Sequence, residues 1–222
     1  MTLSPTFPWK NIHTLLLDMD GTLLDLHFDS IFWKEHIPRQ YAAKRGLDIN
    51  TAKNILTPHF RATEHTLDWY CIDYWSKALN LDVGLLKQDL KHLIRFKPYA
   101  QDFLTLMRQQ KKQLILVTNA HEKSISIKLE HTLLDQYIDQ IISAHDIGHA
   151  KESPLFWKQL EQACSFDKKT SLLIDDNIYA LQSAKDYGVK HLLAISKPST
   201  QEGIIDTGNF IAVEGFEKLI HP

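Results

Sequence analysis

The chain has 222 residues, 44% of them hydrophobic and 23% charged, with a formal net charge of -2. That length buries a sizeable core, as one large domain or as a core with a smaller insert. The near-neutral charge excludes a polycationic face for a nucleic acid polymer and an acidic tail. Cys71 and Cys164 lie far apart without CxxC spacing, no stretch reaches the ~18–20 apolar residues that cross a bilayer, and Met1 to Trp9 has no signal-peptide core. A cytoplasmic protein without a membrane partner is expected.

Residues 12–18 are mostly apolar without strict alternation, as in a strand buried on both faces of a parallel sheet. The run ends in Asp18-Met19-Asp20-Gly21-Thr22, where Gly21 permits a tight bend. From His27 to Lys97 helical spacing replaces strand-like runs. Phe28, Ile31, Phe32 and Glu35 share a helical pattern that Pro38 is expected to interrupt. Gly46 reads as a stop, Asn50 or Thr51 as the next N-cap, and Asp82 as the cap of a helix carrying Leu86, Leu90 and Leu93.

Pro98 opens a different pattern, fitting the first position of a helix that buries Phe103, Leu106 and Met107. Lys112 to Val117 reads as the second strand, ending in Thr118-Asn119. A helix with Ile125, Leu129 and Leu133 follows, then a short third strand at Ile141 to Ala144. Lys151 lies in the loop before a helix opened by Ser153-Pro154. Ser171 to Ile174 is the fourth strand and runs into Asp175-Asp176-Asn177. A helix stopped by Gly188, a fifth strand at His191 to Ile195 and a short helix at Glu214 to Ile220 complete the chain.

This alternation predicts an α/β fold, a doubly wound parallel sheet. The core would comprise residues 1–26 and 98–222, and residues 27–97 a helical insert. In such sheets ligands bind beyond the carboxyl ends of the strands. Those ends carry Asp18 and Asp20, Thr118 and Asn119, Lys151, and Asp175 and Asp176. Carboxylates crowded together raise one another's pKa, and a hard divalent cation relieves them. Oxygen ligands favour Mg2+ or calcium over zinc. Lys151, Thr118 and Asn119 would then donate to an anion such as phosphate. The twelve histidines are scattered. His145 and His149 are four apart, but Gly148 separates them, and they read as solvated or supporting groups.

The ordered set resembles the four motifs of the haloacid dehalogenase-like (HAD) phosphohydrolases, with a cap inserted after the first. That resemblance implies Asp18 as nucleophile, forming an aspartyl phosphate, and Asp20 as general acid and then base. It implies Thr118 and Lys151 holding the phosphoryl group. Magnesium would be held by Asp18, the Asp20 backbone carbonyl and Asp176, with Asp175 direct or through water. The dehalogenase branch lacks the second motif-one aspartate, so Asp20 favours phosphoryl transfer.

Beyond the motifs, Phe28-Asp29, Leu67 to Trp75, Lys128-Leu129-Glu130-His131-Thr132 and the Asp175-Asp176-Asn177 region resemble the bacterial GMP/IMP nucleotidase branch. This implies hydrolysis of purine nucleoside 5′-monophosphates. Trp69, Tyr70 and Tyr74 would offer a stacking surface for the base, although aromatics at helical spacing ordinarily pack; Arg61 and His65 read as solvated. A small sugar phosphate remains open as substrate, for a phosphoglycolate phosphatase-like or β-phosphoglucomutase-like enzyme. A phospho-accepting receiver domain fits poorly, because its acidic pair would stand on the first strand and it has no place for the insert. The oligomeric state is not legible.

Overall fold

The computed structural model describes residues 8–220; the reading of the first seven residues lies outside them. The first strand, β1 (Thr14–Leu17), is buried along its whole length. The insert then contributes α1 (His27–Ile31), α2 (Ile37–Arg45), α3 (Ile49–Thr63), α4 (Leu67–Tyr70), α5 (Ile72–Leu79) and α6 (Val83–Gln88). After α7 (Ala100–Gln109) come β2 (Gln113–Thr118), α8 (Glu122–Thr132), β3 (Gln140–Ser143) and α9 (Ala144–Ile147). α10 (Pro154–Ala163), β4 (Ser171–Asp175), α11 (Ile178–Tyr187), β5 (His191–Ile195), β6 (Ala212–Val213) and α12 (Glu217–Ile220) follow.

The strands form one parallel sheet in the order β3-β2-β1-β4-β5-β6. The chain runs from β1 outward to β3 and then crosses to β4. The switch between β1 and β4 opens the crevice where this fold binds ligands. Side chains alternate across the sheet. Leu15 and Leu17 pack with Phe103 and Met107 of α7 on one face, and Leu16 packs with Phe156 and Leu160 of α10 on the other. That double burial explains why β1 shows no apolar–polar alternation. β6 is an edge strand of two residues that the sequence pattern does not signal.

The insert has its own apolar cluster, built on Phe32, Leu56, Ile72, Trp75 and Leu79. Its two connections to the core pair with each other. Asp25 N–H donates to the Arg95 carbonyl at 2.9 Å, and Lys97 N–H donates to the Leu23 carbonyl at 2.9 Å. The buried Asp25 carboxylate fastens this junction by accepting from His27 N–H at 3.0 Å, Arg95 Nε at 3.2 Å and Thr200 N–H at 3.1 Å.

Four local readings need correction, the first being that the helix capped by Asp82 ends at Gln88, short of Leu90 and Leu93. Pro38 does not interrupt its helix: it sits in the first turn of α2, and a π-helical turn over Phe32–His36 joins α1 to α2. The wider turn accommodates the proline, whose missing N–H and bulky ring disrupt a regular helix. The N-cap of α3 is Asp48, which accepts from the Asn50 and Thr51 N–H groups. Pro98 stands before Tyr99, the N-cap of α7, rather than at the first helical position.

Candidate active site

The six side chains Asp18, Thr118, Asn119, Lys151, Asp175 and Asp176 line one cavity of 470 Å³, together with Asp20. Lys151 organises its floor. Its ammonium donates to Asp18 Oδ1 at 2.6 Å and to Asp175 Oδ2 at 2.7 Å. Burial opposes its charge, but Asp175 and Asp18 raise its pKa, so it stays cationic. Burial pushes Asp18 up to about 6; Lys151 opposes that rise and Asp175 adds to it. Asp18 is therefore ionised at neutral pH, and its Oδ2 is buried without a hydrogen-bond partner.

Asp18, Asp175 and Asp176 bring one oxygen each within 4.8 Å of one another. Asp175 is already engaged: Oδ2 with Lys151, and Oδ1 accepting from Asn177 N–H at 2.9 Å. Burial, then Asp18 and Asp175, drive Asp176 well above the usual carboxylate range. Asn177, not either aspartate, caps α11, so Asp175 and Asp176 are not consumed as helix caps. A crowded, oxygen-only donor set with a bare buried Oδ2 fits a hard cation such as magnesium. Asp18 and Asp176 would hold it directly, with Asp175 orienting Lys151.

Gly21 makes this packing possible. Its φ of +83° suits glycine, and a Cβ there would overlap the Asp176 carboxylate. The resulting turn closes through Leu24 N–H to the Met19 carbonyl at 2.8 Å and Gly21 N–H to the Leu24 carbonyl at 2.8 Å. Asp20 stands within this turn and lines the same cavity as Asp18.

Asp20 enters a second charged cluster. Lys128 of α8 lies 2.6 Å from Asp20 Oδ1 and 2.7 Å from Asp29 Oδ2, while Lys87 of α6 lies 2.9 Å from Asp29 Oδ1. Burial raises the Asp20 pKa to about 6 against Lys128, which pulls it down. Burial also works on Asp29, but Lys128 and Lys87 hold it at about 2. Asp29 thus stays anionic and anchors both lysines, while Asp20 titrates near neutrality. The Phe28 ring beneath both ammonium groups adds a cation–π contact. Sequence reading assigned no role to Asp29, Lys87 or Lys128. The available signal was a lysine at 128, on the buried face of α8 next to Ile125 and Ile127.

Thr118 and Asn119 play different parts. Thr118 Oγ1 accepts from Ala120 N–H at 3.1 Å, which keeps its hydroxyl proton available to an anion. The Asn119 amide is spent on positioning: Oδ1 accepts from Lys151 N–H at 2.9 Å and Nδ2 donates to Glu152 Oε2 at 2.9 Å. Its carbonyl oxygen and one amide N–H are thereby engaged in positioning the Lys151 loop. Glu152, absent from the sequence reading, also accepts from Asn177 Nδ2 at 2.8 Å and from the Tyr70 hydroxyl at 2.6 Å. It joins three core loops to the insert.

A second cavity of 500 Å³ lies beyond Asp20, walled by Trp33, Leu56, Phe60, Trp69, Tyr70 and Ile72 among others. Of the three expected stacking residues, Trp69 and Tyr70 line both cavities. Tyr74 lines neither; its ring packs edge-on against Trp75, 5.1 Å away, inside the insert's own core. His65 is not merely solvated: it lies 4.3 Å from the Tyr179 ring, and both face the first cavity.

The haloacid dehalogenase-like hydrolase family matches residues 15–194. The GMP/IMP nucleotidase YrfG of Escherichia coli (strain K12) is 36% identical over 192 residues, 86% of this chain and 86% of that protein. Among solved structures, a HAD phosphatase from Thermococcus onnurineus superposes with a TM-score of 0.76 at 19% identity, covering 93% of this chain and 95% of the other. The HAD-hydrolase YfnB of Bacillus subtilis, solved bound to magnesium, superposes with a TM-score of 0.65 at 18% identity, covering 93% and 96%. These two likenesses establish a shared fold.

Proposed function

The chain belongs to the haloacid dehalogenase-like hydrolase family, and we propose that it is a magnesium-dependent phosphatase that hydrolyses purine nucleoside 5′-monophosphates, GMP and IMP foremost, through an aspartyl phosphate on Asp18. The observation that carries this reading is the place of Asp20, at the junction of the acidic, lysine-floored cavity and the aromatic one. A phosphoryl group seated against Asp18, Thr118 and Lys151 directs its leaving oxygen toward Asp20, and the nucleoside into a cavity whose walls suit a flat, largely apolar ring system. The 36% identity to a GMP/IMP nucleotidase supports the same substrate class. The same cavity also carries Ser30, Lys34, Lys53, Thr57 and Lys87, so a sugar phosphate is the competing substrate class.

The chain's residues divide the chemistry. Asp18 attacks phosphorus, forming one O–P bond as the ester P–O5′ bond breaks. Asp20, with a pKa near 6, gives its proton to the departing O5′. It then takes a proton from the attacking water, and Asp18 leaves as carboxylate. Lys151 and the Thr118 hydroxyl hold the phosphoryl oxygens as charge builds. Magnesium, when bound, would neutralise the phosphate charge that otherwise repels the Asp18 carboxylate.

We take residues 27–97 as a cap domain and residues 1–26 with 98–222 as the catalytic core. The separate apolar cluster and the paired connections at Asp25 and Lys97 support that division. No helix of the described residues is long and apolar enough to cross a membrane. Both thiols are free, in keeping with the expected cytoplasmic location.

The test is phosphate release from a panel of nucleoside monophosphates and sugar phosphates with magnesium. GMP and IMP are expected to give the highest kcat/KM, and chelation should stop the reaction. Greater efficiency on a sugar phosphate, or an isomerised sugar phosphate as product, would replace the nucleotidase reading.

A further inference from the structure

Where the cap meets the core lies another group of side chains that the phosphoryl chemistry does not use. Cys71 sits in the bend between α4 and α5 of the cap. His121 precedes α8 and His145 lies on α9, both in the core. Each brings one sulfur or nitrogen atom within 4.8 Å of the other two. The two imidazoles meet edge to face, with centroids 4.9 Å apart. Sequence spacing hides this trio, since its members are 50 and 24 residues apart in the chain.

A second observation is independent of that proximity. His145 Nε2 is buried and has no hydrogen-bond partner. A histidine whose buried Nε2 has no hydrogen-bond partner, facing a thiol and a second imidazole, is disposed to ligate a metal. Burial, and then the neighbouring His121, lower the His145 pKa, which keeps the imidazole uncharged at neutral pH.

We infer that Cys71, His121 and His145 form a site for a borderline-soft divalent ion of the zinc class, and that its occupation staples the cap to the core. One thiolate and two imidazoles select zinc over magnesium. With Zn–S about 2.3 Å and Zn–N about 2.0 Å, a tetrahedral ion holds its ligand atoms roughly 3.3–3.6 Å apart, so the trio closes by about 1 Å. Water would take the fourth position, since Asp73, 3.7 Å from His121 Nε2, is paired with Lys123. Binding takes the proton from the thiol and releases it to solvent. The ligands are unequal. His121 already accepts Lys123 N–H at 3.3 Å through Nδ1, so ligation costs it that cap bond or its tautomer, and it is the weakest of the three.

The staple would act on substrate exchange. Cys71 directly follows Trp69 and Tyr70, which wall both cavities. Fixing Cys71 to α8 and α9 holds that wall against the core and slows passage of nucleotide and product.

Cobalt(II) tests the site on the full chain with magnesium in excess. One equivalent should bind with a thiolate-to-cobalt charge-transfer band and intense tetrahedral visible bands, both displaced by zinc. Cys71→Ser should abolish the charge-transfer band, His145→Asn should abolish tight binding, and His121→Asn should weaken it least. Circular dichroism checks that the variants are folded. A serine at 71 still offers an acceptor to Tyr74 N–H. Zinc should also slow phosphate release by the native chain, while Cys71→Ser should resist at least 10-fold more zinc. A native spectrum without the charge-transfer band, or a band that survives both Cys71→Ser and His145→Asn, overturns the site. Equal zinc inhibition of the native chain and Cys71→Ser, or no inhibition, overturns the staple.

Discussion

Asp18 and Asp20 are two residues apart and occupy contrasting surroundings. Asp18 belongs to a cluster built wholly by the core: Asp175 and Asp176 at the end of β4, and Lys151 in the loop between α9 and α10. Asp20 belongs to a cluster assembled from both halves: Lys128 from the core, Asp29 and Lys87 from the cap. Asp18, the proposed nucleophile, is therefore held by core residues alone. Asp20, the proposed proton donor, takes its direct partner Lys128 from the core and the neighbouring charge of Asp29 from the cap. In the proposed mechanism that division ties proton transfer to substrate enclosure.

Breaking the core cluster should do most damage. Asp18→Asn removes the nucleophile, and phosphate release should fall by at least about 10³-fold while nucleotide binding persists. Stopped-flow binding alongside a phosphate assay separates the two. Gly21→Ala comes next: its Cβ would displace the Asp176 carboxylate, so kcat should fall about 10²-fold and the magnesium requirement should rise. A magnesium titration of kcat measures both.

The mixed cluster should give smaller and pH-dependent effects. Lys128 pulls the Asp20 pKa down. Lys128→Met removes that pull, so Asp20 keeps its proton to higher pH. The alkaline limb of the pH–rate profile should move upward, with kcat reduced about 10-fold at neutral pH. Lys87→Met touches Asp29 rather than Asp20 and should shift the limb less. Equal shifts would erase the distinction between core and cap contributions. Tyr70→Phe is the mildest change: losing the bond to Glu152 should raise KM a few-fold and leave kcat nearly unchanged.

How much of this was legible depended on whether the deciding contacts were local. The apolar run into Asp18, the alternation of elements from residue 98 and the residues at strand ends follow from periodicity, because a doubly wound sheet gathers its carboxyl ends in one place. Capping was legible at Asp82, Gly46 and Gly188 for the same local reason. Contacts that join distant segments were not. Glu152 collects Tyr70, Asn119 and Asn177, yet in sequence it is an unremarked glutamate beside a lysine. Tyr74 and Trp69 share a helical, aromatic-rich stretch, and only packing turns one inward and leaves the other on the cavity wall. Asn119 follows the end of β2, and its amide oxygen also holds the Lys151 loop, a contact that sequence does not show.

The claim beneath the comparison is that Asp18 carries the phosphoryl group while Asp20 moves the protons. Acid-quenching the enzyme during turnover of 5′-labelled IMP, then mapping the label, tests it most directly. Label should appear on the peptide bearing Asp18, decay on a chase with unlabelled IMP, and be absent from Asp18→Asn. Label on another residue, or full-rate hydrolysis with no protein-bound phosphate at any quench time, would contradict the account.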